Sequence, residues 1–178
     1  MSNYNQISNF IWNVCDDVLR GLFKPHEYGD VILPFTVLRR LDCTLESHKD
    51  EVYEIYEKYK SQVDDPTPII LNKINTNFFN HSKYDLTRLK SDPQNINLNF
   101  QNYIGGYSDN VVEIIENFQF DKPVQKLHKS NRLYQLIDKF TEVDLHPDVI
   151  SNRDMGIIFE ELLRKFSEMS NETSGEHY

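Results

Sequence analysis

The spacing of apolar residues near both ends of the chain constrains the fold more than any other feature. Between residues 7 and 22, and again between 157 and 166, apolar side chains recur every three or four positions, which is typical of one helix face. These residues are Ile7, Phe10, Ile11, Val14, Val18, Leu19 and Leu22, then Ile157, Ile158, Leu162, Leu163 and Phe166. No run of alternating apolar and polar residues is long enough to require a sheet. We therefore predict an all-α fold, an irregular multi-helix bundle with no substantial sheet.

Two prolines define the predicted helices at the N-terminus. The first helix is expected over about 6–23, ended by Pro25, because proline disfavours helical geometry in the residue before it. The second is expected over about 28–45, with a kink at Pro34, whose ring removes a backbone donor. The two helices are predicted to pack together through the apolar residues Val31, Ile32, Phe35, Leu38 and Leu41 on one side and Ile7, Phe10, Val14 and Val18 on the other.

The remainder of the chain is predicted to form mostly shorter helices. A surface helix is expected over about 48–62, and short helices should follow across the Asn-rich segment 69–120, where Gly105-Gly106 interrupts or bends one of them. Proline at position 123 suits the first turn of another helix. Two more are expected around 133–140 and 153–169.

The charge balance is acidic, with 28 Asp and Glu against 19 Lys and Arg. This argues against a free-standing nucleic-acid-binding protein, because phosphate contacts need concentrated positive charge. A local basic patch remains possible, although such runs more often mark a solvated helix face. The candidate positions are Arg39, Arg40, 58–60, Lys122, Lys126, Lys129 and Arg132. Two interpretations of Arg39 and Arg40 are equally favoured. They contact DNA phosphates or a neighbouring subunit, or they are ordinary cations near a helix C-terminus, where the macrodipole favours them.

Features that are absent from the sequence predict where the protein is located and whether it binds a metal. It has no run of about eighteen apolar residues, so a membrane span is excluded, and the first residues lack the pattern of a secretory signal, which predicts a cytoplasmic protein. The two cysteines, Cys15 and Cys43, are too few for a structural zinc cluster and should be buried thiols. The six histidines show no metal-ligand spacing, and no metal site is expected.

Two adjacent acidic pairs and the single tryptophan are the remaining candidates. Asp16-Asp17 and Glu160-Glu161 could be offered as acid and base pairs, but neighbours on a helix point about a hundred degrees apart, which favours a solvated face. Trp12 could anchor a partner surface, because tryptophan is enriched at interface hot spots. Its place beside Ile11 on a core-facing helix favours a structural role.

Two ordered motifs carry a family resemblance. The first consists of a Trp-bearing amphipathic helix, a Lys-Pro-x-x-Tyr break and Ile-Leu-Pro-Phe running into Leu-Arg-Arg-Leu-Asp, over residues 9–42. The second is Gly-x-x-Phe-Glu-Glu-Leu-Leu over residues 156–163, followed by Ser174, Gly175, Glu176, His177 and Tyr178. In this order and separation they resemble the opening of the methyltransferase (modification, M) subunit of type I restriction-modification systems.

The resemblance implies a domain division. In that family the second motif continues into Thr-Pro-Arg and a Rossmann-like catalytic domain, whereas this sequence stops at Tyr178. We therefore expect residues 1–170 to be the helical N-terminal domain, and 171–178 to be a linker into an absent catalytic domain. By the same resemblance, His177 and Tyr178 would lie at the edge of an incomplete S-adenosyl-L-methionine site.

The motifs of the chemistry itself are missing from the sequence. An adenine-modifying methyltransferase of this kind carries a glycine-rich cofactor loop and an Asn-Pro-Pro-aromatic motif that holds the flipped base. Here no two prolines are adjacent, and Gly105-Gly106 lacks both a preceding strand and a third glycine. No catalytic residue is therefore assigned. The chain alone is expected neither to bind the cofactor nor to methylate DNA.

The resemblance also implies partners. Two methyltransferase subunits and one specificity subunit form an S-adenosyl-L-methionine-dependent adenine-N6 DNA methyltransferase, and restriction subunits convert it into the endonuclease. The helical domain would pack on the catalytic domain, contact the partner methyltransferase subunit and help to close the complex around DNA. The alternative, from another class of protein, is an autonomous helical adaptor with no enzymatic role.

Overall fold

The computed structural model describes residues 3–176, with side chains over 4–171. Within that part of the chain the regular structure is helical and no strand occurs, so the predicted all-α bundle is confirmed. The α-helices are α1 (Asn3–Val14), α2 (Tyr28–Leu45), α3 (Lys49–Tyr59), α4 (Thr67–Ile74), α5 (Leu86–Leu89), α6 (Ile96–Gly105), α7 (Asp109–Phe118), α8 (Asp121–Lys129), α9 (Leu133–Phe140) and α10 (Asn152–Glu176). Short π and 3₁₀ turns extend or precede several of them, at Cys15–Leu19, Pro25–Glu27, Glu46–His48 and Pro93–Asn95.

Helix α2 forms the centre of the bundle. Its apolar side chains Val31, Ile32, Phe35 and Leu38 are at most 1% exposed. Helices α7, α8, α9 and α10 all pack against it. A helix that is apolar around most of its circumference is stable only when neighbours cover it on several sides. The limits predicted for α2 are confirmed, and the helix continues through Pro34.

A cluster of aromatic rings joins α2 to the helices around it. Phe35 stacks on Phe100 of α6, with ring centroids 5.7 Å apart and planes 14° apart. The same ring meets Phe120 edge-on at 5.9 Å and Phe140 at 5.6 Å. Offset and edge-to-face pairs of this kind contribute about 0.5–1.5 kcal/mol beyond the area they bury. The cluster therefore fixes α6, the start of α8 and α9 against the central helix.

The first helical segment ends earlier than predicted. After α1 a π turn continues to Leu19, and then the backbone N–H groups of Leu22 and Phe23 both return to the Leu19 carbonyl, at 3.0 and 2.9 Å. Gly21 adopts φ +83°, a conformation that favours glycine and commonly ends helices. The prediction of a helix to residue 23 ended by Pro25 is therefore wrong, because glycine stops it first.

Helix α10 closes the domain against the start of α2. It contacts both α2 and the 3₁₀ turn Pro25–Glu27. The approach is close at Gly29, where a Cβ would lie 2.9 Å from Cβ of Phe166. A glycine is therefore needed to seat α10. The helix continues past its predicted end near residue 169 to Glu176, and the proposed boundary at residue 170 remains a prediction.

A smaller apolar cluster lies between α3 and α4. It consists of Val52, Ile70, Ile74 and Phe79. Helix α3 itself begins one residue later and ends three residues earlier than the predicted span 48–62.

This smaller cluster is separate from the main core. Its attachment to the rest of the bundle therefore depends in part on polar contacts.

Candidate functional site

Arg40, a sequence candidate for surface contacts, is used inside the domain. One terminal nitrogen of its guanidinium donates to the carbonyls of Leu145 and Ile150 at 2.8 and 2.7 Å, and the other donates to Oδ1 of Asn152 at 2.7 Å. The residue is only 9% exposed. These donors supply hydrogen bonds to backbone carbonyls of the loop between α9 and α10, because no helix provides donors for them there.

Arg39 works in the same way on the start of that loop. Its Nε donates to the Val143 carbonyl at 2.8 Å, and a terminal nitrogen donates to the Thr141 carbonyl at 3.3 Å. Both arginines thus tie residues 141–152 to α2. Neither interpretation proposed from the sequence describes them, since they bind backbone carbonyls far along the chain.

A buried polar network centred on Asp42 joins four parts of the fold. Its Oδ1 accepts from the hydroxyls of Tyr103 and Tyr107, at 2.5 and 3.3 Å, and its Oδ2 accepts from the backbone N–H of Leu86 at 2.7 Å. The two tyrosine hydroxyls are 2.6 Å apart. The carboxyl therefore holds α2 against α5, α6 and the turn that follows α6.

Lys49 and Asn80 extend the network to the smaller cluster. Nζ of Lys49 donates to Oδ1 of Asn80 at 2.9 Å, and Nδ2 of Asn80 donates to the Tyr103 carbonyl at 2.9 Å. Gly106 lies so close that a Cβ there would be 2.7 Å from the Asn80 oxygen. These contacts attach the start of α3 to the end of α6.

Burial perturbs the ionisation of this network. It raises the pKa of Asp42 to about 6, against the opposing effect of the Tyr103 and Leu86 hydrogen bonds, and lowers the pKa of Lys49 to about 8. The pKa values of Tyr103 and Tyr107 are raised by burial. Perturbed groups often mark catalytic sites, but here Asp42 is 8% exposed and its partners are packed side chains and backbone. The network is structural.

This network was not predicted from the sequence, where Asp42 is the last residue of the Leu-Arg-Arg-Leu-Asp motif. A signal was nevertheless available, since the carboxyl belongs to a helix whose other residues include Leu38, Cys43 and Leu45, all buried. A charged residue among apolar ones on a central helix needs a buried partner.

An apolar groove of about 340 Å³ opens between α2 and α10. Its lining residues are Val37, Arg40, Leu41, Asn152, Met155, Gly156 and Phe159. The polar heads of Arg40 and Asn152 bond to each other, which leaves the apolar side chains to define the open surface. A groove with apolar walls is shaped to receive an apolar side chain from a partner.

Two apolar residues of α10 lie on its outer surface. Ile157 and Leu163 are 48% and 41% exposed. The buried stripe is instead Met155, Ile158, Leu162 and Phe166. The prediction that Ile157 and Leu163 share the core-facing side is therefore wrong, because steps of three and four residues select a narrower face.

The lysines of α8 differ from the arginines of α2. Lys122, Lys126 and Lys129 are exposed, and none lies within ion-pair distance of a carboxylate among the residues with described side chains. Arg132, grouped with them in the sequence, instead donates to the Val18 carbonyl at 2.9 Å and the Arg20 carbonyl at 3.2 Å. The structure thus separates one predicted basic run into a structural arginine and three solvent-facing lysines.

The other sequence candidates occupy ordinary positions. Trp12 is half-buried and its ring centroid is 5.6 Å from that of Phe166, which supports the structural role. Cys15 and Cys43 are buried free thiols, as predicted, and burial raises the pKa of Cys15 to about 12.

Both acidic pairs lie on solvated helix faces. Asp17 forms a surface ion pair with Lys139 at 3.5 Å, and Glu161 forms one with Arg164 at 2.7 Å. One carboxylate of each pair is therefore bound to a surface cation.

Comparison with models of known protein families shows which family the chain belongs to. A family model described as the HsdM N-terminal domain matches residues 7–140. The chain belongs to this family. HsdM is the methyltransferase subunit of type I restriction-modification systems, so the family resemblance is confirmed. The matched residues include the first sequence motif, at 9–42, and not the second, at 156–163. No curated protein and no solved structure matches the chain.

The match places most of the bundle inside the HsdM N-terminal domain. It runs from the first buried residue of α1 to the end of α9 and includes the whole Asp42 network, whereas α10 lies beyond it. The candidate cofactor residues His177 and Tyr178 lie outside the described residues. Among the described residues, every helix is too short or too polar to span a lipid bilayer.

Proposed function

We propose that this HsdM N-terminal domain serves an S-adenosyl-L-methionine-dependent adenine-N6 DNA methyltransferase of a type I restriction-modification system. Its own contribution is subunit assembly and closure of the complex around DNA. The family match over residues 7–140 carries this proposal. The buried network around Asp42 supports it, because the perturbed groups of that network are used for packing.

The groove between α2 and α10 is the proposed assembly surface. It is apolar, and the outward-facing Ile157 and Leu163 extend the apolar character of α10 around the helix. Residues 1–170 would form the domain, and 171–178 would lead into the catalytic domain. In the full-length subunit, His177 and Tyr178 would lie at the edge of the cofactor site. The partners would be a second methyltransferase subunit, a specificity subunit and a restriction subunit, in the cytoplasm.

Methyl transfer by the full-length subunit tests the activity. The subunit is co-expressed with the specificity subunit, and transfer of labelled methyl groups from S-adenosyl-L-methionine to adenine in DNA is measured. Activity should require the complex, whereas residues 1–178 alone should neither methylate DNA nor bind the cofactor. Micromolar cofactor binding to the isolated chain in calorimetry would contradict the second expectation. A reading frame that stops after Tyr178 would favour the autonomous adaptor.

A matched pair of surface substitutions tests the assembly role. Leu163→Asp on α10 should reduce the amount of methyltransferase–specificity complex recovered by size-exclusion chromatography, because it places a charge on the proposed contact surface. Ile114→Asp on α7 is the control, since Ile114 is 48% exposed and Leu163 is 41% exposed. Equal recovery of both variants would remove α10 from the assembly surface.

A further inference from the structure

Several cations of the domain have a hydrogen-bond or ion-pair partner for their head groups. Arg39, Arg40 and Arg132 donate to backbone carbonyls. Lys90 and Lys139 pair with carboxylates at 3.1 and 3.5 Å. The lysines of α8 do neither. We refer to Lys122, Lys126 and Lys129 as the α8 ridge.

Helical geometry places the three lysines of the α8 ridge on one face. They follow steps of four and three residues, and a rise of 1.5 Å per residue spreads their backbone positions over about 10 Å. The opposite face of α8 is fixed by the buried Val124 and Leu127. The ridge is therefore held outward by the core beneath it.

One lysine of the ridge is also held in place. Nζ of Lys126 lies 4.8 Å from the centroid of the Phe23 ring. A cation over an aromatic face gains about 0.5–1 kcal/mol at an exposed site. This restrains Lys126 without neutralising its charge, so it remains available to an external anion.

The two flanks of the ridge differ in charge. On one flank a depression of about 460 Å³ is lined by all three lysines, the neutral donors Gln125 and Ser130, the side chain of Leu22, and a single carboxylate, Asp121. On the other flank Glu27 and Asp30 line a cleft of about 400 Å³ together with Lys122 and Lys126. Only the first flank is predominantly cationic.

Helix electrostatics does not account for the whole ridge. Lys126 and Lys129 lie in the last turn of α8, where the macrodipole favours cations. Lys122 lies in the first turn, where the same dipole disfavours them. The dipole therefore explains the positions of Lys126 and Lys129 but not that of Lys122.

We propose that the α8 ridge contacts the phosphate backbone of duplex DNA in the assembled methyltransferase complex, an assignment that rests on the proposed function. Lysine is depleted from protein–protein interfaces, where aromatic residues and arginine are enriched, and the ridge carries neither an exposed aromatic residue nor an arginine. Flexible ammonium groups contact phosphates without reading bases. The ridge thus adds affinity that does not depend on sequence.

The charge of the whole chain explains why this contact needs the complex. The formal net charge of the chain is −9 at pH 7, so the chain as a whole repels a polyanion such as DNA. Three phosphate contacts alone therefore give only weak binding. Once other subunits hold the duplex, the ridge can release counterions locally. The isolated chain should therefore bind duplex DNA weakly at most near physiological salt.

The salt dependence of DNA binding by the complex tests the proposal. The full-length subunit carrying Lys122→Gln, Lys126→Gln and Lys129→Gln is assembled with the specificity subunit. Fluorescence anisotropy then measures its affinity for duplexes with and without the methylation sequence, between low and high salt. The slope of log affinity against log salt should fall by about 0.9 for each phosphate that a lysine no longer neutralises, or up to about 2.7. The affinity for both duplexes should fall by the same factor.

A matched variant controls for total charge. Lys58→Gln, Lys73→Gln and Lys83→Gln remove the same charge from exposed lysines on and near α3 and α4. Their slope should stay at the wild-type value. Equal slopes for the control and ridge variants, or a ridge variant with the wild-type slope, would overturn the proposal. Thermal melting checks that all variants remain folded.

Three further outcomes separate this proposal from its alternatives. Reduced recovery of the specificity subunit with an unchanged slope would show that the ridge holds an acidic protein surface, which overturns DNA contact. A complex that binds DNA with a ridge-dependent slope but transfers no methyl groups would refute the proposed function and support the ridge. A wild-type complex without any DNA affinity would overturn both.

Discussion

Helices α2 and α8 both carry cations that the sequence groups as candidate basic patches, but they use them in opposite ways. On α2 the guanidinium of Arg40 is buried and bonded to a loop. On α8 the ammonium groups of Lys122 and Lys129 reach solvent and have no carboxylate partner among the described side chains. The difference follows from position, because α2 is covered by four helices whereas α8 has an outer face.

The difference shows that burial determines whether a cation forms hydrogen bonds inside the domain or is left exposed to external partners. A buried cation must satisfy hydrogen-bond acceptors, because an unpaired charge away from water is costly. An exposed cation loses little when unpaired and stays available to a partner. The arginine fork suits the first task and the lysine ammonium suits the second. Substitutions on α2 should therefore change stability, and those on α8 should change binding.

The largest effect is expected for Leu38→Ala on α2. Leu38 is 1% exposed, and loss of its methylenes leaves a cavity that costs on the order of 2–5 kcal/mol. The melting temperature should fall by roughly 5–15 °C. Asp17→Ala is the control, because the Asp17 side chain is 53% exposed and its surface pair with Lys139 contributes about half a kcal/mol or less. Similar melting temperatures would mean that the faces are wrongly assigned.

Arg40→Ala should destabilise the domain by about 2–4 kcal/mol, because it strands the buried carbonyls of Leu145 and Ile150. Urea unfolding measures the loss, and hydrogen exchange should accelerate within residues 141–152. Arg40→Lys should recover only part of it, because one ammonium cannot replace the fork. Full recovery by lysine would show that charge, not geometry, holds the loop.

Asp42 should make stability depend on pH. Its pKa of about 6 in the fold lies above the ordinary 3.8, so its contribution to stability is fully present below pH 3.8 and is lost as pH rises through 6. From pH 4.5 to 7 the loss should be on the order of 2 kcal/mol. The ionisable groups that face the carboxyl are Lys49, Asp85, Tyr103 and Tyr107.

Asp42→Asn isolates this dependence from the other ionisable groups. Urea unfolding at pH 4.5 and 7 should show wild type losing stability relative to the variant as pH rises, whatever the constant cost of the substitution. Leu38→Ala removes no ionisable group, so its difference from wild type should be the same at both pH values. A constant difference between wild type and Asp42→Asn would show that Asp42 is ionised in the fold throughout this range.

The smallest stability effect is expected for the triple Gln substitution of the α8 ridge. The exposed ammonium groups make no ion pair with a described carboxylate, and the contact of Lys126 with the Phe23 ring is the interaction that is lost. The free energy of unfolding should therefore change by about 1 kcal/mol or less. Urea unfolding of the isolated chain provides the measurement. A loss as large as that of Arg40→Ala would remove the distinction between the two helices.

Much of the local structure was predictable because it depends on neighbouring residues. The limits of α2 follow from its apolar periodicity, and the buried thiols follow from the apolar faces that carry them. The local predictions fail at two places. Gly21 stops the first helical segment before Pro25 can, and Ile157 falls just outside the buried stripe of α10.

By itself the sequence determined the helical class, most helix positions and the family, because helical periodicity and ordered motifs are local properties of a chain. The tertiary structure alone decided which cations are internal and which face solvent. The acceptors of Arg40 lie 105, 110 and 112 residues away along the chain, and Asp42 meets Tyr103 across 61 residues. No spacing rule connects such positions. Only the packing of α2 at the centre brings these groups within hydrogen-bond distance and excludes the water that would otherwise satisfy them.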